Sequence, residues 1–225
     1  SDLVKEPDEN TYLEWEKFPV KEMYRRGWFE EFQGSLSAAM NHAEELTKEF
    51  FEKTKLNPSI ALHHKRVRSG SSIDLYSLFA WECRILYIAK NSPELPPFRV
   101  ESVDSSLISE LAQQSRFEDG PLRAKNLLGS IGIHLAVEPH LPNTHLDGAA
   151  MLFRDNAVIG LTLRYDRLDN FWFVLFHELA HIKLHLRKGM IENIFDDLDS
   201  NPDDFEKESD NFALESLIPS SSWET

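Results

Sequence analysis

The stretch Phe171-Trp172-Phe173-Val174-Leu175-Phe176-His177-Glu178-Leu179-Ala180-His181-Ile182 leaves a folded chain few choices. The apolar period is helical from Asp169 to about Arg187, and the large side chains fall on every side, so this helix is expected to be buried almost all round. Two imidazoles and a carboxylate inside such a helix are costly unless something satisfies them. The rest of the chain must therefore cover the helix and supply partners for its polar groups.

The polar residues are spaced as His-Glu-x-x-His. At about 3.6 residues per turn, His177 and His181 stand one above the other on one face. Two imidazoles so placed reach a single zinc ion at about 2.0–2.1 Å, while Glu178, rotated to the flank, addresses a water without binding the ion. A catalytic zinc needs a third protein ligand and an open position. His185 does not serve, because it stands about 12 Å along a straight helix from His177; it reads as a structural residue, at most placed behind the ligands or at the helix end. The metzincin extension also fails, with Leu184 where its glycine belongs and Arg187 where its third histidine belongs. In the last helix Glu206, Asp210, Ala213 and Leu217 form one stripe, and a carboxylate sharing a stripe with apolar residues points inward. Glu206 is thus a candidate ligand, with Asp210 one turn later orienting a histidine. Glu208 is its rival, on a more mixed side with Phe212 and Glu215. The acidic residues from Asp196 to Asp204 read as a solvated loop.

A length of 225 residues fits one large or two small domains. Ser92-Pro93-Glu94-Leu95-Pro96-Pro97 is the most helix-hostile run and marks a boundary, giving a helical region over 1–97 and a second domain over 98–225. In the first, helices are expected over Leu36 to about Lys55 and from Ser72, as N-cap, to about Ala89. In the second, helices are expected over 104–115, from Pro121, over 169–187 and over about 203–217. Strands are expected at 132–138, 149–153 and 157–163, the last two as a hairpin. The fold class is α+β, with a small antiparallel sheet packed on the His-Glu-x-x-His helix. Cys83 is the only cysteine, which excludes an intrachain disulfide and a cysteine-based zinc finger; it reads as a core residue. A net charge of −14 argues against direct nucleic-acid binding by this chain. The basic cluster His63 to Arg68 reads as a solvated loop or helix end. No run approaches a membrane span and no signal-peptide core stands at the N-terminus, so the expectation is a soluble, cytoplasmic protein.

Residues 169–181 (Asp-Asn-Phe-Trp-Phe-Val-Leu-Phe-His-Glu-Leu-Ala-His), together with 206–219 and Leu146-Asp147-Gly148-Ala149-Ala150, resemble the ImmA/IrrE family of zinc metallopeptidases, over about residues 100–219. The resemblance implies a zincin-like domain, with Glu206 at the position of the family's third zinc ligand. Phe18 to Trp28 resembles the helical region that follows a helix-turn-helix domain in regulators fused to this family. No helix-turn-helix pattern precedes it, and longer relatives continue past the Leu217-Ile218-Pro219 segment. Both departures point to a fragment of a larger regulator, with DNA binding left to a domain outside this chain.

The expected activity is hydrolysis of a specific protein, a repressor or antitoxin-like chain. His177, His181 and Glu206 hold Zn2+ and Glu178 is the general base. Tyr165 and His145 are weaker candidates to assist at the oxyanion. The alternative is a regulatory or sensor module of a transcriptional regulator, or an antitoxin, with weak cleavage or none. The sequence leaves the oligomeric state open.

Overall fold

The computed structural model describes residues 14–54, 74–144, 146–165, 167–185 and 202–218. Two units divide after Lys90, with residues 140–144 belonging to the first. The basic cluster at 63–68, His145, and the acidic residues before Asp203 lie outside the described residues.

In the first unit a single 3-10 turn (Trp15–Lys17) precedes α1 (Val20–Arg25), α2 (Leu36–Asn41), α3 (Ala43–Glu52) and α4 (Leu75–Lys90). Ser35 caps α2 by accepting from the Ala38 amide at 3.2 Å. The single helix expected from Leu36 onward is kinked instead. His42 departs from helical geometry (φ −107°, ψ 23°), yet its N–H donates to the Ala38 carbonyl and its own carbonyl accepts from the Leu46 amide. Ser72 lies outside the described residues. Asp74 does the capping of α4, its carboxylate accepting from the amides of Tyr76 and Ser77. Helices this short depend on packing, and here rings provide it. Phe18 meets Phe51 and Tyr76, and Phe51 meets Phe79, each pair at 4.9 Å. Cys83 is buried in α4.

The second unit holds α5 (Ser105–Gln114), α6 (Gly120–Ser130), β1 (Ile133–Val137), β2 (Gly148–Phe153), β3 (Asn156–Leu161), α7 (Leu168–Ala180) and α8 (Pro202–Leu217). Asp104 caps α5 through the Leu107 amide at 2.9 Å, and Pro121 sits in the first turn of α6, where its missing N–H costs nothing. The class is α+β, helices followed by a small sheet packed against helices.

The sheet is mixed rather than wholly antiparallel. Its order is β1-β3-β2. The β2–β3 pair is an antiparallel hairpin from Gly148↔Leu161 to Phe153↔Asn156, and β1 runs parallel to β3 from Ile133↔Ala157 to Val137↔Leu161. The tight turn at Arg154, held at φ 58°, makes the hairpin local. The chain between β1 and β2 instead leaves the sheet, residues 140–144 joining the first unit. β1 and β2 are thus the two edges, with β3 between them.

Helix α7 packs on β2, β3 and α8. Phe171, Trp172, Val174, Leu175, Phe176, Leu179 and Ala180 are all buried there with Leu111, Leu128, Ile133, Ile159 and Ala213. Each large side chain so buried stabilises the fold by about 1.5–3 kcal/mol. The burial on nearly every side follows from the composition of 171–182. No helix among the described residues is long and apolar enough to cross a membrane.

Candidate metal centre

Local geometry places the donors in steps. One turn of α7 separates His177 from His181, and their Nε2 atoms lie 3.0 Å apart. From α8, Glu206 brings Oε2 to 3.2 Å from His177 Nε2 and Oε1 to 3.6 Å from His181 Nε2. One ligand atom from each of the three lies within 4.8 Å of the others. Zinc bonds of about 2.0–2.1 Å at tetrahedral angles put ligand atoms about 3.3 Å apart, so these edges fit a zinc ion with three protein ligands. Two imidazoles and a carboxylate are also the donor set of hydrolytic zinc sites.

Asp210 Oδ1 faces His177 Nδ1 at 2.9 Å. A carboxylate only accepts, so the imidazole proton sits on Nδ1 and the lone pair of Nε2 faces the other donors. Glu208 turns away from this cluster and meets His185 Nε2 at 3.1 Å. His185 in turn has its Nδ1 3.0 Å from His181 Nδ1. Residues His181–His185 form one π-helical turn at the end of α7, a widening of the helix found mostly at functional sites. Lys183 ties that turn down by donating to the Val103 carbonyl.

Glu178 is buried, 6% exposed, on the flank of α7. It lies against Gly148 at the start of β2, where an added Cβ would stand 2.7 Å from Glu178 Oε1 and 2.9 Å from Val174 Cγ1. Only glycine lets the strand approach so closely. Burial pushes the Glu178 carboxyl up to about 8; His177 opposes that, while Glu206 and Asp147 add to it. Burial and the neighbouring His177 drive His181 down to about 4. For His177, burial disfavours the charge, but Glu206, Glu178 and Asp210 outweigh it and hold the pKa above the ordinary value. Glu206 is held below its ordinary value, chiefly by its hydrogen bond to His177. These directions belong to the protein without a metal; a dication opposes protonation of every donor around it.

Asp147 was part of a sequence resemblance without a role. Its Oδ1 is buried with no hydrogen-bond partner among the described residues, and its charge acts on Glu178. The contacts of Ser209, fully buried with Oγ 3.4 Å from His181 Nδ1, had no sequence signal beyond its place between Glu206 and Asp210. Tyr165 is half exposed and lies beside Arg164.

Residues 133–223 match the family model for the IrrE N-terminal-like domain, Peptidase_M78. The second half of the chain thus carries a metallopeptidase domain of the ImmA/IrrE family. No curated protein and no solved structure matches the chain.

Proposed function

We propose that this chain is a zinc-dependent endopeptidase acting in the cytoplasm on one regulatory protein, a repressor or an antitoxin-like chain. The observation that carries the proposal is the convergence of His177, His181 and Glu206 beside a buried Glu178, within a domain of a metallopeptidase family. The substrate class comes from the family likeness.

Held by these three residues, a zinc ion would supply a Lewis acid able to polarise a peptide carbonyl and to make water nucleophilic near neutral pH. Glu178 takes the proton that the attacking water gives up and delivers it to the leaving nitrogen. Asp210 keeps His177 in the tautomer whose Nε2 is free to bind. Gly148, with no side chain, lets β2 pack directly against the Glu178 carboxylate. As an edge strand packed on α7, β2 offers main-chain groups to an extended substrate by strand addition.

The test is zinc content after zinc is supplied, in the wild type beside His177→Ala and Glu206→Ala. About one zinc per wild-type chain, lost in both variants, is expected for a site with three protein ligands. An empty wild type overturns the peptidase reading.

A second reading, a sensor module that controls an attached DNA-binding domain with little cleavage, has one observation in its favour. The helical unit carries its own cleft of about 400 Å³, lined by residues including Trp28, Phe32, His42, Glu49 and Phe50. Glu178→Gln separates the readings, because it abolishes cleavage and leaves metal binding and any purely regulatory effect in place.

A further inference from the structure

We propose that His185 is a positioning residue for the metal centre, and that Glu208 acts through it to fix the protonation pattern of His181. The inference rests on the metal-site reading above and extends it to two residues outside the ligand set.

The argument is one of proton positions. To bind a metal through Nε2, His181 must carry its single proton on Nδ1. That Nδ1 lies 3.0 Å from His185 Nδ1, and two ring nitrogens at this distance share one proton. His185 Nδ1 is therefore the acceptor, and its own proton sits on Nε2. There it meets Glu208 Oε2 at 3.1 Å, a carboxylate that only accepts. Both contacts are satisfied in one pattern, Glu208 ← His185 ← His181, and that pattern leaves the lone pair of His181 Nε2 toward His177 and Glu206. The reverse pattern puts a lone pair of His185 against a carboxylate and a proton where the metal belongs. Ser209 Oγ, at 3.4 Å from the same His181 nitrogen, is at the long limit of a hydrogen bond and a weak substitute.

The surroundings hold this arrangement in place. The π-helical turn carries His185 beside His181, with ring centroids 5.1 Å apart. Phe205 covers the His185 ring at 4.5 Å, and the His185 side chain is only 4% exposed. Glu208 is 58% exposed and is free to reach back to it. A histidine ligand is normally oriented by a carboxylate or carbonyl on its other nitrogen. His177 has the direct form, through Asp210; His181 has the same support relayed through a second imidazole.

The experiment is zinc affinity by chelator competition on the full chain, with the absorption spectrum of the cobalt-substituted protein as a second readout. His185→Phe keeps the ring volume and removes the acceptor, and a 10–100-fold loss of affinity is expected, the range for partners behind metal ligands. His185→Asn puts an amide oxygen near the place of Nδ1 and is expected to recover most of that loss. Glu208→Ala, on an exposed side chain, is expected to weaken binding several-fold and Ser209→Ala hardly at all. Thermal unfolding of each metal-free variant verifies that it folds. Folded His185→Phe with wild-type affinity and an unchanged cobalt spectrum overturns the proposal, as do equal losses in the Phe and Asn variants. A wild type that takes up no zinc overturns the metal site itself, and this inference with it.

Discussion

Helices α7 and α8 build one site from opposite surroundings. On α7 the polar groups are sunk among aromatic side chains, with Glu178 6% and His181 4% exposed. On α8 the carboxylates that meet them stand half in water: the side chains of Glu206, Glu208 and Asp210 are 47, 58 and 52% exposed. Groups on α7 are thus desolvated whether or not a metal is bound, and their charge states bear on the stability of the fold. Those on α8 keep much of their hydration, so each contributes little to stability and mainly to geometry. One helix carries the energetic cost of burying its polar groups and the other brings up half-exposed carboxylates that could complete a metal site, a division that substitutions on the two sides can break.

The largest effect is expected at Glu178. Glu178→Gln keeps the volume of the side chain and removes the proposed base, so turnover on a cleavable peptide should fall about 10²–10⁴-fold. Zinc content should not change. Equal activity in the variant would move the base to another group, and loss of zinc would mean that Glu178 shapes the ligand set.

The next pair sets one helix directly against the other. His181→Ala and Glu206→Ala each remove one proposed ligand, and both should lose zinc. Only the first opens a buried space, so denaturant unfolding of the metal-free proteins should show a loss of about 1–3 kcal/mol for His181→Ala. Glu206→Ala, on an exposed side chain, should stay within about 0.5 kcal/mol of the wild type. Similar losses in both would erase the distinction between the two helices.

How much of this contrast was legible follows from how each helix meets its neighbours. α7 could be read because its own residues 171–182 surround the polar groups on every side, and no partner was needed to see that they are buried. The parity of α8 was harder. Glu206 and Glu208 are two positions apart, about 200° around the axis, and the apolar stripe through Ala213 favours Glu206 without saying what Glu208 meets. That answer depends on the π-helical turn at His181–His185, which is set by tertiary packing and leaves no trace in periodicity. The direction of β1 was hidden for a related reason. Alternation in residues 132–138 marks a strand, but a parallel pairing with β3 rather than an antiparallel one leaves no mark in that alternation. The kink at His42 is likewise a matter of packing, since the apolar spacing runs through it unbroken.

A pH series on the metal-free protein sharpens the contrast further. Glu178, with a folded-state value of about 8 against an ordinary 4.5, holds a proton that the unfolded chain has released. Its contribution is full below about 4.5 and is lost as pH rises toward 8. His177, also raised, acts in the same direction above its ordinary value. His181 works the other way: its folded value of about 4 lies below 6.5, so the fold weakens as pH falls through that window. Between about 4.5 and 6.5 the groups oppose one another. From 6.5 to 8 the losses from Glu178 and His177 act together, and Glu178 alone accounts for about 2 kcal/mol. Urea midpoints at the two ends of that range measure it, and Glu178→Gln should remove most of the slope. A wild-type midpoint that stays level from pH 6.5 to 8 would show that the carboxyl is not desolvated.

The smallest effect is expected at Asp210, where the two helices meet through a single hydrogen bond. Its carboxylate fixes the His177 proton on Nδ1 from a position that is half in water. Asp210→Ala should leave the metal-free unfolding midpoint unchanged within about 0.5 kcal/mol. Zinc affinity should still fall, by about 10-fold or somewhat more, because His177 is then free to rotate and to exchange tautomers. Asp210→Asn separates charge from orientation. Its amide oxygen still accepts from Nδ1–H, so most of the affinity should return if orientation is the role. If Asn is as weak as Ala, the negative charge itself matters, and α8 contributes electrostatics to the site as well as geometry.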